Sequence, residues 1–157
     1  MPSSKEECFK LLKKRIEAND PAAMYQEGVN QRKKGNYRSA IEYYSKAAEL
    51  GVADAHYTLS IFYYGGLGTE KDEGKYIYHL EEAAISGQPD ARRMLGCHEW
   101  NDGNIDRAVK HWIIAATQGE DRSIKELIDA FKDGLISKDD LASTLRAHQA
   151  AVDAMKS

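Results

Sequence analysis

Ala47-Ala48-Glu49-Leu50-Gly51 returns as Ala83-Ala84-Ile85-Ser86-Gly87 and again as Ala115-Ala116-Thr117-Gln118-Gly119. The three glycines stand 36 and then 32 residues apart. A second marker opens each unit: Asp20-Pro21-Ala22-Ala23, Asp54-Ala55, Pro89-Asp90-Ala91 and Asp121-Arg122-Ser123. Ala23, Ala55, Ala91 and Ser123 follow one another at 32, 36 and 32 residues. Two different markers thus share one period, the signature of a chain built from repeated supersecondary units.

Within a unit the apolar residues recur with helical spacing. Ala55, Leu59, Phe62 and Tyr63 share one helix face, as do Ile105, Ala108, Val109, Trp112 and Ala116. Asp20 followed by Pro21 is a helix start. Gly51, Gly87 and Gly119 stand where a left-handed residue ends a helix. Gly35-Asn36, Gly65-Gly66-Leu67-Gly68 and Gly103-Asn104 interrupt the middle of the units. Each unit therefore reads as helix A, turn, helix B, and the four extra residues of the second unit fall in its glycine-rich turn.

Ala40, Ala47, Ala83, Ala108 and Ala115 are expected where paired helices cross closely. Leu59, Tyr63, Leu80, Leu95, Trp112 and Leu127 are expected to fill the space around them. Ser4-Lys5-Glu6-Glu7 matches a capping box and opens a helix to about Glu17, with Phe9, Leu12 and Ile16 on one side. Ser137-Lys138-Asp139-Asp140 opens a closing helix to about Ala154. The expected organisation is one domain over residues 1–157. It comprises an opening helix at about 4–17, repeats at about 20–51, 52–87 and 88–119, and a fourth half-repeat with a closing helix at about 120–155.

Composition narrows the function. A net charge of −3 gives no broad attraction to nucleic acid or anionic membrane. The longest apolar runs are too short to span a bilayer. The first residues carry no apolar core of a signal peptide, so a cytoplasmic or nuclear location is expected. Cys8 and Cys97 cannot make a disulfide framework. The oligomeric state is left open.

No catalytic or metal constellation has workable spacing. His56, His79, His98, His111 and His148 are scattered, and His79-Leu80-Glu81-Glu82 lacks the second histidine of a zinc motif. Cys97, His98 and Glu99 are consecutive and point to different helix faces, so they form neither a chelate nor a nucleophile pair. Gly65 to Lys75 fails the phosphate-loop spacing, Tyr76 replaces the hydroxyl residue, and a helix precedes it. Lys13-Lys14-Arg15 and Arg32-Lys33-Lys34 lie among acids and read as solvated helix faces. The expected protein is not an enzyme and carries no cofactor or metal.

Ala53-Asp54-Ala55-His56-Tyr57-Thr58-Leu59, Tyr64-Gly65-Gly66-Leu67-Gly68-Thr69-Glu70-Lys71-Asp72 and Leu80-Glu81-Glu82-Ala83-Ala84 resemble the Sel1-like, tetratricopeptide-type repeat family. Ala91 to Gly96 and Asp106 to Trp112 carry the same likeness, which extends over roughly residues 19–134. The resemblance implies an all-α, right-handed α-solenoid of helix-turn-helix repeats with terminal capping helices, whose concave side receives a protein or peptide partner. Arg15 to Tyr25 and Lys138 to Ala151 resemble a subgroup whose members often carry a RING-type zinc module upstream of a serine-rich junction like Pro2-Ser3-Ser4. Two cysteines cannot build that module here. The alternative role implied is the partner-binding portion of a RING-type ubiquitin-ligase system. Glu27 and Gln31 depart from the family pattern, standing where large apolar residues are usual.

In this architecture helix A lines the concave side. Counted from the opening alanines, the partner-facing positions are Tyr25, Val29, Arg32 and Lys33, then Tyr57, Ile61 and Tyr64, then Arg93, Cys97, Trp100 and Asn101. Tyr, Trp and Arg are the side chains that most often dominate binding energy. Arg32 and Lys33 would favour an acidic end of the partner.

Overall fold

A computed structural model describes residues 4–156, and every element among them is helical. The helices are α1 (Ser4–Glu17), α2 (Pro21–Lys33), α3 (Tyr37–Glu49), α4 (Ala53–Gly65), α5 (Glu73–Ile85), α6 (Pro89–Asn101), α7 (Ile105–Thr117), α8 (Arg122–Lys132) and α9 (Lys138–Met155). The Pro2-Ser3 part of the serine-rich junction lies outside the described residues. No helix among the described residues is long and apolar enough to cross a membrane.

The local signals act as their chemistry requires. Asp20 Oδ1 accepts hydrogen bonds from the Ala22 and Ala23 backbone N–H groups at 3.0 and 3.3 Å, with Pro21 opening α2. Ser137 Oγ accepts from the Asp140 N–H at 3.0 Å and opens α9. Gly51, Gly87 and Gly119 have φ of +92°, +92° and +95°, the left-handed conformation that stops a helix.

Two compact units divide between Glu82 and Ala83, inside α5. In the first, α2 packs on α3 and α3 on α4. Ala40, Ala47, Ala55 and Leu59 are fully buried, and Tyr44 and Leu80 nearly so. Tyr44 meets Phe62 edge to face at 5.7 Å. A Cβ built on Gly28 of α2 would lie 2.7 Å from Tyr44 Cδ1, so only glycine lets the ring pack there. Glu27 and Gln31 do not leave α2 unsupported. Gln31 donates to Glu27 at 2.7 Å and Asn30 donates at 3.3 Å, a polar ladder on the half-buried side of the helix. Phe9, Leu12 and Ile16 line one concavity with Glu27 and Tyr43, although Phe9 stays 67% exposed and α1 buries no residue.

The glycine-rich turn also belongs to the first unit. Gly68, at φ +67°, lies so close to the start of α3 that a Cβ would stand 2.8 Å from the Arg38 backbone nitrogen. The glycine serves close packing of the loop.

In the second unit, α6 packs on α7, and α7 on both α8 and α9. Ala108, Val109, Trp112, Ala116, Leu127, Ala130 and Ile136 form its core, with Cys97, Ile113, Ile124 and Leu141 against it. Burial of these side chains supplies about 25 cal/mol for each Å² of apolar surface removed from water.

Candidate functional site

The expected partner-facing residues divide between the two units. In the first, Ile61 and Tyr64 are exposed, and Tyr64 tilts on Tyr76 at 5.0 Å. Tyr57 and Tyr25 are half-buried, and Tyr25 lies 5.5 Å from the Tyr44 ring. Arg32 and Lys33 end α2 at the surface, and Arg32 also reaches the Tyr44 hydroxyl. Burial raises that hydroxyl's pKa and Arg32 opposes the rise.

In the second unit, α6 sets Arg93, Cys97, Trp100 and Asn101 along one face. Arg93 turns toward α8: its side chain is 13% exposed, with Nη1 3.6 Å from Glu126 Oε1 and Nε 3.9 Å from Glu120 Oε1. This arginine bridges neighbouring helices. Trp100 is 36% exposed and tilts against the buried Trp112 at 5.5 Å. Asn101 is exposed.

Cys97, Trp100, Asn101, Trp112, Glu126, Asp129, Ala130 and Asp133 enclose a cavity of about 300 Å³. Its α6 wall falls on positions expected from the repeat register, and its acidic α8 wall was not among them. The signal was present. Asp129 and Asp133 stand in the same register from Ser123 as Cys97 and Asn101 from Ala91. Burial pushes the Cys97 thiol up, against the lowering influence of Arg93 and Trp112. His98 turns to Asp102, with Nε2 3.2 Å from Oδ2. The Cys97 side chain instead meets Arg93 at 3.6 Å.

Two capping residues lie outside the opening markers: Gln88, whose Oε1 accepts from the Ala91 N–H at 2.7 Å at the start of α6, and Glu120. The marker Asp121-Arg122-Ser123 suggests Asp121 as the start of α8, but the buried Glu120 does that work. Glu120 Oε2 accepts from the Ser123 N–H at 2.7 Å and the Ser123 hydroxyl at 2.6 Å, and Oε1 accepts from the Arg122 N–H at 3.1 Å. Burial pushes this carboxyl up, but the bonds from Ser123 and Arg122 outweigh it and hold the pKa below its ordinary value. Asp121 instead meets His148 Nε2 at 2.8 Å. Asp90 at the start of α6 pairs with Arg122 at 2.8 Å, joining two unit openings.

The Sel1 repeat model matches three consecutive segments, residues 22–52, 53–88 and 89–120, more than half of the sequence. The chain belongs to the Sel1 repeat family. Its fold is similar to that of a Sel1 repeat protein from Oxalobacter formigenes, with TM-score 0.77 and 24% identity, over 92% of this chain and 63% of that one. It is also similar to a protective antigen of uropathogenic Escherichia coli that displays an SLR fold. There the TM-score is 0.72 and the identity 25%, over 92% of this chain and 32% of the antigen.

Among curated proteins, this Sel1 repeat chain is 26% identical to "DAP3-binding cell death enhancer 1" of Mus musculus, over 79% of this chain and 32% of that protein. It is 30% identical to "Chitin synthase regulatory factor 4" of Schizosaccharomyces pombe, over 57% of this chain and 14% of that protein. The chain thus spans a third or less of the length of these relatives.

Proposed function

We propose that this Sel1 repeat chain is a non-catalytic adaptor that binds a segment of a partner protein on its A helices. Membership of a family whose members generally mediate protein–protein interaction carries the reading. The relatives' names, one a binding protein and one a regulatory factor, fit it. The contact residues in the first unit are Tyr25, Arg32, Lys33, Tyr57, Ile61 and Tyr64. In the second they are Trp100 and Asn101, with Arg93 holding α6 against the acids of α8. Exposed aromatic residues next to buried ones suit this role, because a rigid ring gives much contact area at little entropic cost. The partner is a protein rather than nucleic acid, and the setting is the cytoplasm or nucleus.

Affinity purification with mass spectrometry tests the proposal, comparing the wild-type chain with a Tyr64→Ala, Trp100→Ala variant whose helicity matches. Specific proteins captured by the wild type and lost from the variant are expected. Absence of any specific protein partner, or substrate turnover by the purified chain, would overturn the adaptor reading.

A further inference from the structure

We propose that the cavity between α6, α7 and α8 receives an arginine side chain carried by the bound partner, an inference that rests on the adaptor reading above. The cavity lies at the lower end of the roughly 300–1,000 Å³ typical of ligand pockets, a fit for one side chain. Its walls combine an aromatic surface with carboxylates. Trp100 offers a partly exposed ring backed by Trp112, and a guanidinium is attracted to an indole face.

The charges that face the cavity leave room for a cation. Arg93 engages Glu126 Oε1. Glu126 Oε2 is buried without a hydrogen-bond partner. Asp129 and Asp133 have no ion-pair partner among the described residues. They stand four residues apart at the C-terminal end of α8, where Asp133 is the cap. Like charges at this spacing repel, and negative charge at a helix C-terminus opposes the helix dipole. An arriving cation relieves both. Trp112, only 3% exposed, also lines the cavity and backs the Trp100 ring, with its indole nitrogen packed against Gly96.

Arginine fits this combination better than lysine. Its guanidinium is planar, weakly hydrated and carries five donors, so it can stack on Trp100 while addressing more than one carboxylate. An ammonium is a strongly hydrated point charge that gains less from the aromatic wall.

The chain holds two tryptophans, and both line this cavity. Intrinsic fluorescence therefore reports its occupancy directly. Blocked Gly-Gly-Arg-Gly is titrated into the full chain, beside matched peptides carrying lysine or the uncharged isostere citrulline. Saturable change with the arginine peptide is expected, with a dissociation constant of about 1 mM or tighter. Affinity should weaken at least about tenfold with lysine, with citrulline, or in an Asp129→Asn, Asp133→Asn variant of unchanged helicity. No saturable response to arginine, an equal response to lysine or citrulline, or an unchanged response in the variant would overturn the inference. If the variant still captures the wild type's partners at undiminished affinity, the inference fails while the adaptor reading stands. If no partner is captured at all, the adaptor reading fails.

Discussion

Gly96 of α6 faces Trp112 of α7 so closely that a Cβ at position 96 would stand 2.5 Å from the indole nitrogen and 3.1 Å from the Ala108 carbonyl oxygen. Gly28 and Tyr44 repeat the relationship two units earlier, and at the intervening positions Ser60 and Leu80 are both buried. A small residue in helix A thus faces a large one in helix B in the first and third repeats, and Ser60 and Leu80 hold the corresponding positions in the second. In a Gly96→Ala variant, overpacking costs about 1–3 kcal/mol, offset by up to about 1 kcal/mol of improved helix propensity. The expected net loss is about 1 kcal/mol in urea unfolding, with a shifted tryptophan emission. Gly74→Ala is the control. It has an ordinary φ and only Asp72 Oδ1 nearby, at 3.4 Å, so it should be neutral or stabilising by about 0.5 kcal/mol.

Asp129 and Asp133 oppose the stability of the helix that carries them. Replacing both by asparagine removes a like-charge pair and an unfavourable charge at the α8 C-terminus. The free chain should gain about 0.5 kcal/mol and melt slightly higher at low salt, with the gain shrinking as salt is added. A lower melting temperature would show that these carboxylates support the fold.

Glu120 should tolerate substitution far less well than its exposed neighbour Asp121. Glu120→Ala leaves the first N–H groups of α8 and the buried Ser123 hydroxyl without their acceptor. A loss of about 2 kcal/mol is expected in denaturant unfolding. Equal effects at positions 120 and 121 would contradict the capping assignment.

The first unit should be acid-sensitive. His79 stacks on Tyr63 at 5.6 Å, and its Nδ1 lies 3.0 Å from that of His56. Burial, then the neighbouring His56 and Lys75, lowers its pKa from 6.5 to about 4. Burial likewise lowers that of His56, against Glu82. Because the folded pKa lies below the unfolded value, the unfolded chain binds more protons as pH falls. The stability is present above about pH 6.5 and is lost progressively toward pH 4. The melting temperature should fall between about pH 7 and 5, and His79→Gln should flatten that slope.

Much of the fold was legible because a stacked repeat writes its geometry into period. The alanine pairs marked helix crossings, and Ala40, Ala47, Ala83, Ala108 and Ala115 are all fully buried. Gly51, Gly87 and Gly119 stood where a helix must end, and each takes the left-handed conformation. Gly28 and Gly96 were harder, since a helical glycine looks like a weakness until its large partner is placed. The site was less legible. Arg93 is an arginine of the expected register, but its neighbours across α8 are acids that no local pattern pairs with it. The cavity needs α7 and α8 beside α6, a juxtaposition that sequence spacing alone does not display.

The adaptor account is tested most directly by installing a photo-crosslinking residue in place of Asn101, on the rim of the tryptophan-lined cavity, with Ile85, 74% exposed on a B helix, as the control position. The account predicts crosslinks from position 101 to a discrete segment of a partner protein, competed by unmodified chain and absent from position 85. Background labelling alone at position 101, or the same products from both positions, would contradict it.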